Sequence, residues 1–235
     1  MNVLVLDDPA AEVAERLARA AAAGAHMALT GGSTPKQAYE TAAGLEADWS
    51  GATLWFTDER CVAQDDELSN YALAKSALLD RLPQGGGAPA VKRMKGEAGP
   101  HGGADDYERE LRETLGEGIP RLDLILLGLG PDAHVASLFP GQDTLQVQDR
   151  PVVGVEEAGL KPFVPRISLT MPTLNAGRDV IFLVTGSDKA DAVARAFGVS
   201  VPPTPEAPGS MVRPTAGELT VILDEAAAAG LGSRP

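Results

Sequence analysis

Cysteine is nearly absent: Cys61 is the one cysteine among 235 residues. That excludes an intramolecular disulfide framework and a cysteine-rich zinc site, and it predicts a reducing compartment, the cytoplasm, with Cys61 a small hydrophobe. Histidine is almost as scarce. His26, His101 and His134 fall at no recognisable ligand spacing, so no metal is implied, and no cofactor motif stands out. Cation excess is missing as well, with 20 Lys and Arg against 33 Asp and Glu, a net charge of -13, and no basic block. Nucleic-acid and anionic-membrane partners do not fit such a chain, so an anionic ligand has to be caught locally. No apolar run approaches membrane-spanning length, and the opening MNVLVLDDPA has neither the basic segment nor the apolar stretch of a signal peptide. Internal repeats and the Gly-Lys-Ser/Thr end of a P-loop are also lacking.

What is present is an alternation of apolar strands with amphipathic or alanine-rich helices, predicting a single α/β domain over residues 1–235 with a mainly parallel sheet. Strands are expected at residues 2–6, 26–30, 53–56, 91–94, 122–127, 151–155, 166–170, 180–184 and 219–223. Helices are expected at 9–23, 35–43, 70–82, 104–115 and 190–197, with Ser69 capping the third. Residues 83–89 and 99–103 read as glycine-rich loops and 201–209 as a proline-rich surface loop.

Ligands of an open α/β sheet sit beyond the carboxyl ends of its strands, which directs attention to the segments that follow those strands. Leu122-Asp123-Leu124-Ile125-Leu126-Leu127 stops abruptly at Gly128, and Gly130, Pro131, Asp132 and His134 follow. In extended backbone, residues two apart point the same way, so Asp132 and His134 are expected to act together; the alternative is a capped turn with an exposed histidine. After residues 26–30 comes Gly31-Gly32-Ser33-Thr34-Pro35, where two glycines and a helix start with hydroxyls form either an anion-binding layout or an ordinary turn. The third strand runs into Thr57-Asp58-Glu59-Arg60, read as a ligand-facing loop with Glu59 in a solvated ion cluster and the Arg60 fork suited to phosphate or carboxylate. Lys161 and Arg166 flank the stiff Pro162-Phe163-Val164-Pro165 loop. Lys189 follows Gly186 in a first helical turn, where the dipole disfavours a cation unless an anion is bound.

Together GGSTP, FTDERCV, SNY, LGLGPDAHVASLFPG, KPFVPRISLTMPTLN and LVTGSDKA resemble, in order and spacing, the 6-phosphogluconolactonases over nearly the whole chain. The resemblance implies a Rossmann-like fold shared with glucosamine-6-phosphate deaminases. It also implies hydrolysis of 6-phospho-D-glucono-1,5-lactone to 6-phospho-D-gluconate, the second step of the oxidative pentose phosphate pathway, by a monomer or small homo-oligomer. His134 matches the family's general base and Asp132 its supporting carboxylate. Gly31, Gly32, Ser33, Thr34, Asp58, Arg60, Lys161, Arg166 and Lys189 match positions around the phosphorylated sugar lactone. Two other readings are a glucosamine-6-phosphate deaminase or isomerase, with Asp58 as the base at carbon, and a non-catalytic sugar-phosphate-binding module. The deaminases continue past their histidine into a carboxylate-bearing segment, whereas Ala136-Ser137-Leu138-Phe139-Pro140-Gly141 stands here. Ala133 and Val135 depart from the glycine and threonine that flank the family's histidine, so neither a backbone conformation reserved for glycine at 133 nor a threonine hydroxyl in catalysis at 135 is expected.

Overall fold

The computed structural model describes residues 1–83 and 87–231, so the middle of the glycine-rich loop expected at 83–89 lies outside the described residues. Leu124–Leu127 (β6) buries all four side chains and therefore needs apolar cover on both faces. It lies mid-sheet. On one side follow Asp179–Val184 (β9), Glu218–Leu223 (β10) and the edge strand Asn2–Val5 (β1). On the other follow His26–Leu29 (β2), Thr53–Phe56 (β3) and the short Ala90–Val91 (β5). Every pairing in this seven-stranded sheet is parallel.

The period of two along β6 divides the core. Leu124 and Leu126 pack with Val13 and Leu17 of helix Pro9–Ala22 (α1) and Tyr39 of helix Ser33–Ala43 (α2). Ile125 and Leu127 face the other way, in one apolar cluster with Tyr107 and Leu111 of helix Gly99–Leu115 (α4). Local signals agree with these elements. Asp8 accepts the Ala11 amide ahead of Pro9 at the start of α1, and Ser69 caps helix Asn70–Ala77 (α3) as its sequence position predicts.

Several elements differ from expectation. Helix α3 stops at Ala77 and a 3-10 turn, Leu79–Arg81, completes residues 70–82. The strand expected at 91–94 is only Ala90–Val91. Residues 99–103, read as a flexible loop, are the first turn of α4, opened by Pro100; a Cβ on Gly103 would fall 2.3 Å from Ile167, so this glycine serves close packing. Met171–Ala176 (α5), with Pro172 in its first turn, was not anticipated at all.

A second sheet arises from the two strands expected at 151–155 and 166–170 together with a segment expected as a loop. Asp58–Arg60 (β4) pairs antiparallel with Arg166–Leu169 (β8), which pairs antiparallel with Val152–Val155 (β7). In the main sheet the chain moves outward from β2 through β3 to β5, then returns to β6 and moves outward through β9 to β10. The switch point lies between β2 and β6, where crevices for ligands form in such sheets. Helices Ala190–Phe197 (α6) and Glu225–Ala228 (α7) follow β9 and β10.

Candidate active site

A cleft of about 250 Å³ opens at that switch point. Gly31 and Gly32 reach it from the end of β2, Asp58 and Arg60 from β4, Gly128, Gly130 and His134 from the end of β6, and Lys189 from the turn after β9. Arg166, at the start of β8, and Lys161, in the loop before it, close it from the side of the second sheet. Ser33 and Thr34 line an adjoining lobe of about 140 Å³ that shares Gly31, Gly32 and Lys189 with the main cleft. The Thr34 and Thr185 hydroxyls lie 3.0 Å apart across this lobe.

Asp132 and His134 do meet, although not through extended backbone. Ala133 between them has φ 68°, and a tight turn is closed by the Ala133 amide on the Gly130 carbonyl and the Gly130 amide on the His134 carbonyl. A left-handed alanine costs about 1–2 kcal/mol, so the conformation that glycine favours is kept here on a residue that resists it. Asp132 Oδ1 accepts the His134 amide and lies 2.5 Å from His134 Nδ1. Burial raises the Asp132 carboxyl, but the hydrogen bond and charge of His134 outweigh it and hold the group below its ordinary range. An ionised carboxylate only accepts, which fixes the proton on Nδ1 and leaves Nε2 as the basic nitrogen. Gly130 makes the pair possible: a Cβ there would lie 2.0 Å from His134 Nδ1 and 2.6 Å from Asp132 Oδ1. The Phe139 ring, 4.7 Å from the imidazole between centroids, packs against it. Val135 forms an isolated bridge with Leu138 and is fully buried.

The cations are arranged by strand register. Arg60 and Arg166 are direct partners across β4 and β8, and both line the cleft. Like charges directly opposite are destabilising, an arrangement that an anion between them relieves. Burial, then Arg60, lowers the Arg166 pKa, and its guanidinium donates to the Val164 and Pro162 carbonyls and stacks over Phe139. Arg60 donates one amino group to the Leu68 carbonyl at 2.6 Å, while its buried Nε has no partner. Asp58 is buried at the cleft floor, where it accepts Ser137 Oγ at 2.7 Å and Asn70 Nδ2 at 3.2 Å. Glu59 is not solvated. It is 3 % exposed and accepts the Arg60, Asn70 and Tyr71 amides and the Ser69 hydroxyl, turning the strand end into a capped junction with α3. Burial raises its carboxyl against the pull of those donors. Asn70, Leu160 and Phe139 also line the cleft, and their only signals in sequence are the place of Asn70 in the SNY segment and of Phe139 five residues past His134. Among the described residues no three His, Cys, Asp or Glu groups are placed to hold a metal ion.

Residues 4–221 match the model of the glucosamine-6-phosphate isomerases/6-phosphogluconolactonase family. The chain belongs to that family. A protein of Nostoc sp. named 6-phosphogluconolactonase is 39% identical over 209 residues, covering 87% of this chain and 84% of its own length. The human protein of the same name is 41% identical over 177 residues, covering 75% of this chain and 67% of its own. The solved 6-phosphogluconolactonase of Trypanosoma cruzi superposes with TM-score 0.82 at 28% identity, over 99% of this chain and 97% of that one. Membership accounts for the parallel sheet, and one cleft of this family member brings together the carboxylate–imidazole pair and the facing arginines.

Proposed function

We propose that this protein is a 6-phosphogluconolactonase, hydrolysing 6-phospho-D-glucono-1,5-lactone to 6-phospho-D-gluconate, with His134 as the base and the cleft cations as the anion clamp. The observation that carries this reading is the His134–Asp132 pair at 2.5 Å, in a cleft that also holds Arg60, Arg166, Lys161 and Lys189. In the proposed reaction, His134 Nε2 takes a proton from water as its oxygen attacks the C1 carbonyl. The resulting imidazolium is stabilised by Asp132, and it returns the proton to the ring oxygen when the C1–O bond breaks. A fork of donors in register suits a phosphate or the carboxylate that the product gains, and the lobe with Ser33, Thr34 and the amides after Gly32 suits the phosphate. Asp58 is held in place by hydrogen bonds from Ser137 and Asn70, which favours a floor-shaping role over that of a base at carbon.

The single cysteine supports cytoplasmic function, and the net charge of -13 supports a small-molecule partner over nucleic acid. Among the described residues no helix is long and apolar enough to cross a membrane. We take the working unit to be one domain in a monomer or small homo-oligomer. The test is to supply freshly generated 6-phosphogluconolactone and, separately, glucosamine 6-phosphate. Acid release above the spontaneous rate from the first, abolished in His134→Ala, is the expected result. Ammonia release from the second would replace this reading with the deaminase, and binding without turnover of either would replace it with a sensor.

A further inference from the structure

We propose that Arg195, on the exposed side of α6 and outside the cleft, is a positioning residue that clamps the strained turn carrying Asp132 and His134. Its guanidinium donates to two successive carbonyls, Pro131 at 2.8 Å and Asp132 at 3.3 Å. The next carbonyl, Ala133, accepts the Gly209 amide at 2.9 Å. Three consecutive carbonyls are thus held from behind while the side chains of residues 132 and 134 meet in front. A left-handed non-glycine residue persists only where its surroundings over-determine the backbone, and Ala133 at φ 68° is such a residue. Without the clamp, only the turn's own hydrogen bonds and the Gly209 amide oppose relaxation of Ala133 toward negative φ, a change that swings Asp132 and His134 apart. A planar fork spans neighbouring carbonyls in a way that a lysine ammonium does not. The backbone strain also gives Arg195 a function specific to an alanine at 133, since a glycine there holds the turn unaided.

The inference rests on His134 acting as the base, and a mutant cycle separates the two. Wild type, Arg195→Ala, Ala133→Gly and the double variant are compared by kcat, by KM for the phosphorylated lactone, and by urea unfolding. Arg195→Ala is expected to lower kcat about tenfold with KM nearly unchanged, from two lost hydrogen bonds transmitted through the turn. Arg195→Lys should recover only part of that. In the Ala133→Gly background the same replacement should lower kcat by less than about threefold, because coupled residues are non-additive. Equal losses in both backgrounds, a change confined to KM, or wild-type turnover by Arg195→Ala would overturn the clamp. If the wild type does not hydrolyse the lactone, the proposed function fails on its own. The unfolding cycle then still decides the clamp, for which additive stabilities would be the contrary result. Should Arg195→Ala not fold, Arg195→Lys enters the same cycle in its place.

Discussion

Gly130→Ala separates the chemistry of the cleft from the stability of the fold. Gly130 does not need a left-handed backbone, so alanine is allowed there by conformation; what it lacks is space. The added methyl would lie 2.0 Å from His134 Nδ1, 2.2 Å from Cε1 and 2.6 Å from Asp132 Oδ1, all far inside contact distance. These atoms belong to side chains, so the ring rotates out of the way and the 2.5 Å contact with Asp132 is lost. Overpacking of this kind costs about 1–3 kcal/mol, which a folded protein survives. Loss of an aligned base lowers the rate roughly 10²- to 10⁴-fold, the range typical of general base catalysis. Initial rates of acid release from fresh lactone, corrected for spontaneous hydrolysis, should therefore collapse while urea denaturation shifts modestly. His134→Ala should reduce turnover by a similar factor, and adding Gly130→Ala to it should do little more, since the ring that the methyl displaces is gone. Near-wild-type turnover by Gly130→Ala would refute the steric reasoning, as would a full further loss in the His134→Ala background.

Lys189→Ala and Arg60→Ala should each weaken kcat/KM for the phosphorylated lactone by about 1.5–3 kcal/mol, the range of a charge-assisted hydrogen bond, and affect an unphosphorylated lactone far less; equal losses on both would assign these cations elsewhere. Ser137→Ala removes the 2.7 Å hydrogen bond to buried Asp58 and should cost about 1–3 kcal/mol in urea unfolding. Asp132, held below its ordinary 3.8, contributes stability that is present above that value and lost as pH falls through its lower folded value. Asp132→Asn should therefore flatten the stability–pH curve in that acid window, and an unchanged slope in unfolding titrations would contradict the pairing. Chelator treatment should leave hydrolysis intact; loss restored by a divalent ion would show that the cleft works with a metal.

Much of this protein was readable because its signals are local. The burial of residues 124–127 follows from an unbroken apolar run, the cap at Ser69 from a hydroxyl before a helical pattern, and the cleft-lining ends of β2, β6 and β9 from glycines after strands. The run Gly130-Pro131-Asp132-Ala133-His134 likewise pointed to an acid and a base close together, and the two side chains do meet. It did not announce how. The one-residue spacing suggested an extended segment, but packing enforces a left-handed alanine, with Arg195 and Gly209, 62 and 76 residues beyond Ala133 in sequence, holding the carbonyls. Thr57-Asp58-Glu59-Arg60 read as a ligand-facing loop with Glu59 in a solvated ion cluster, because so polar a segment carries no local signal of strand pairing. Its pairing with residues 166–168 instead buried Asp58 and Glu59 and set Arg60 opposite Arg166. Strand register between distant segments depends on which faces the whole chain can bury together, so only the tertiary structure decided which charges meet across the cleft.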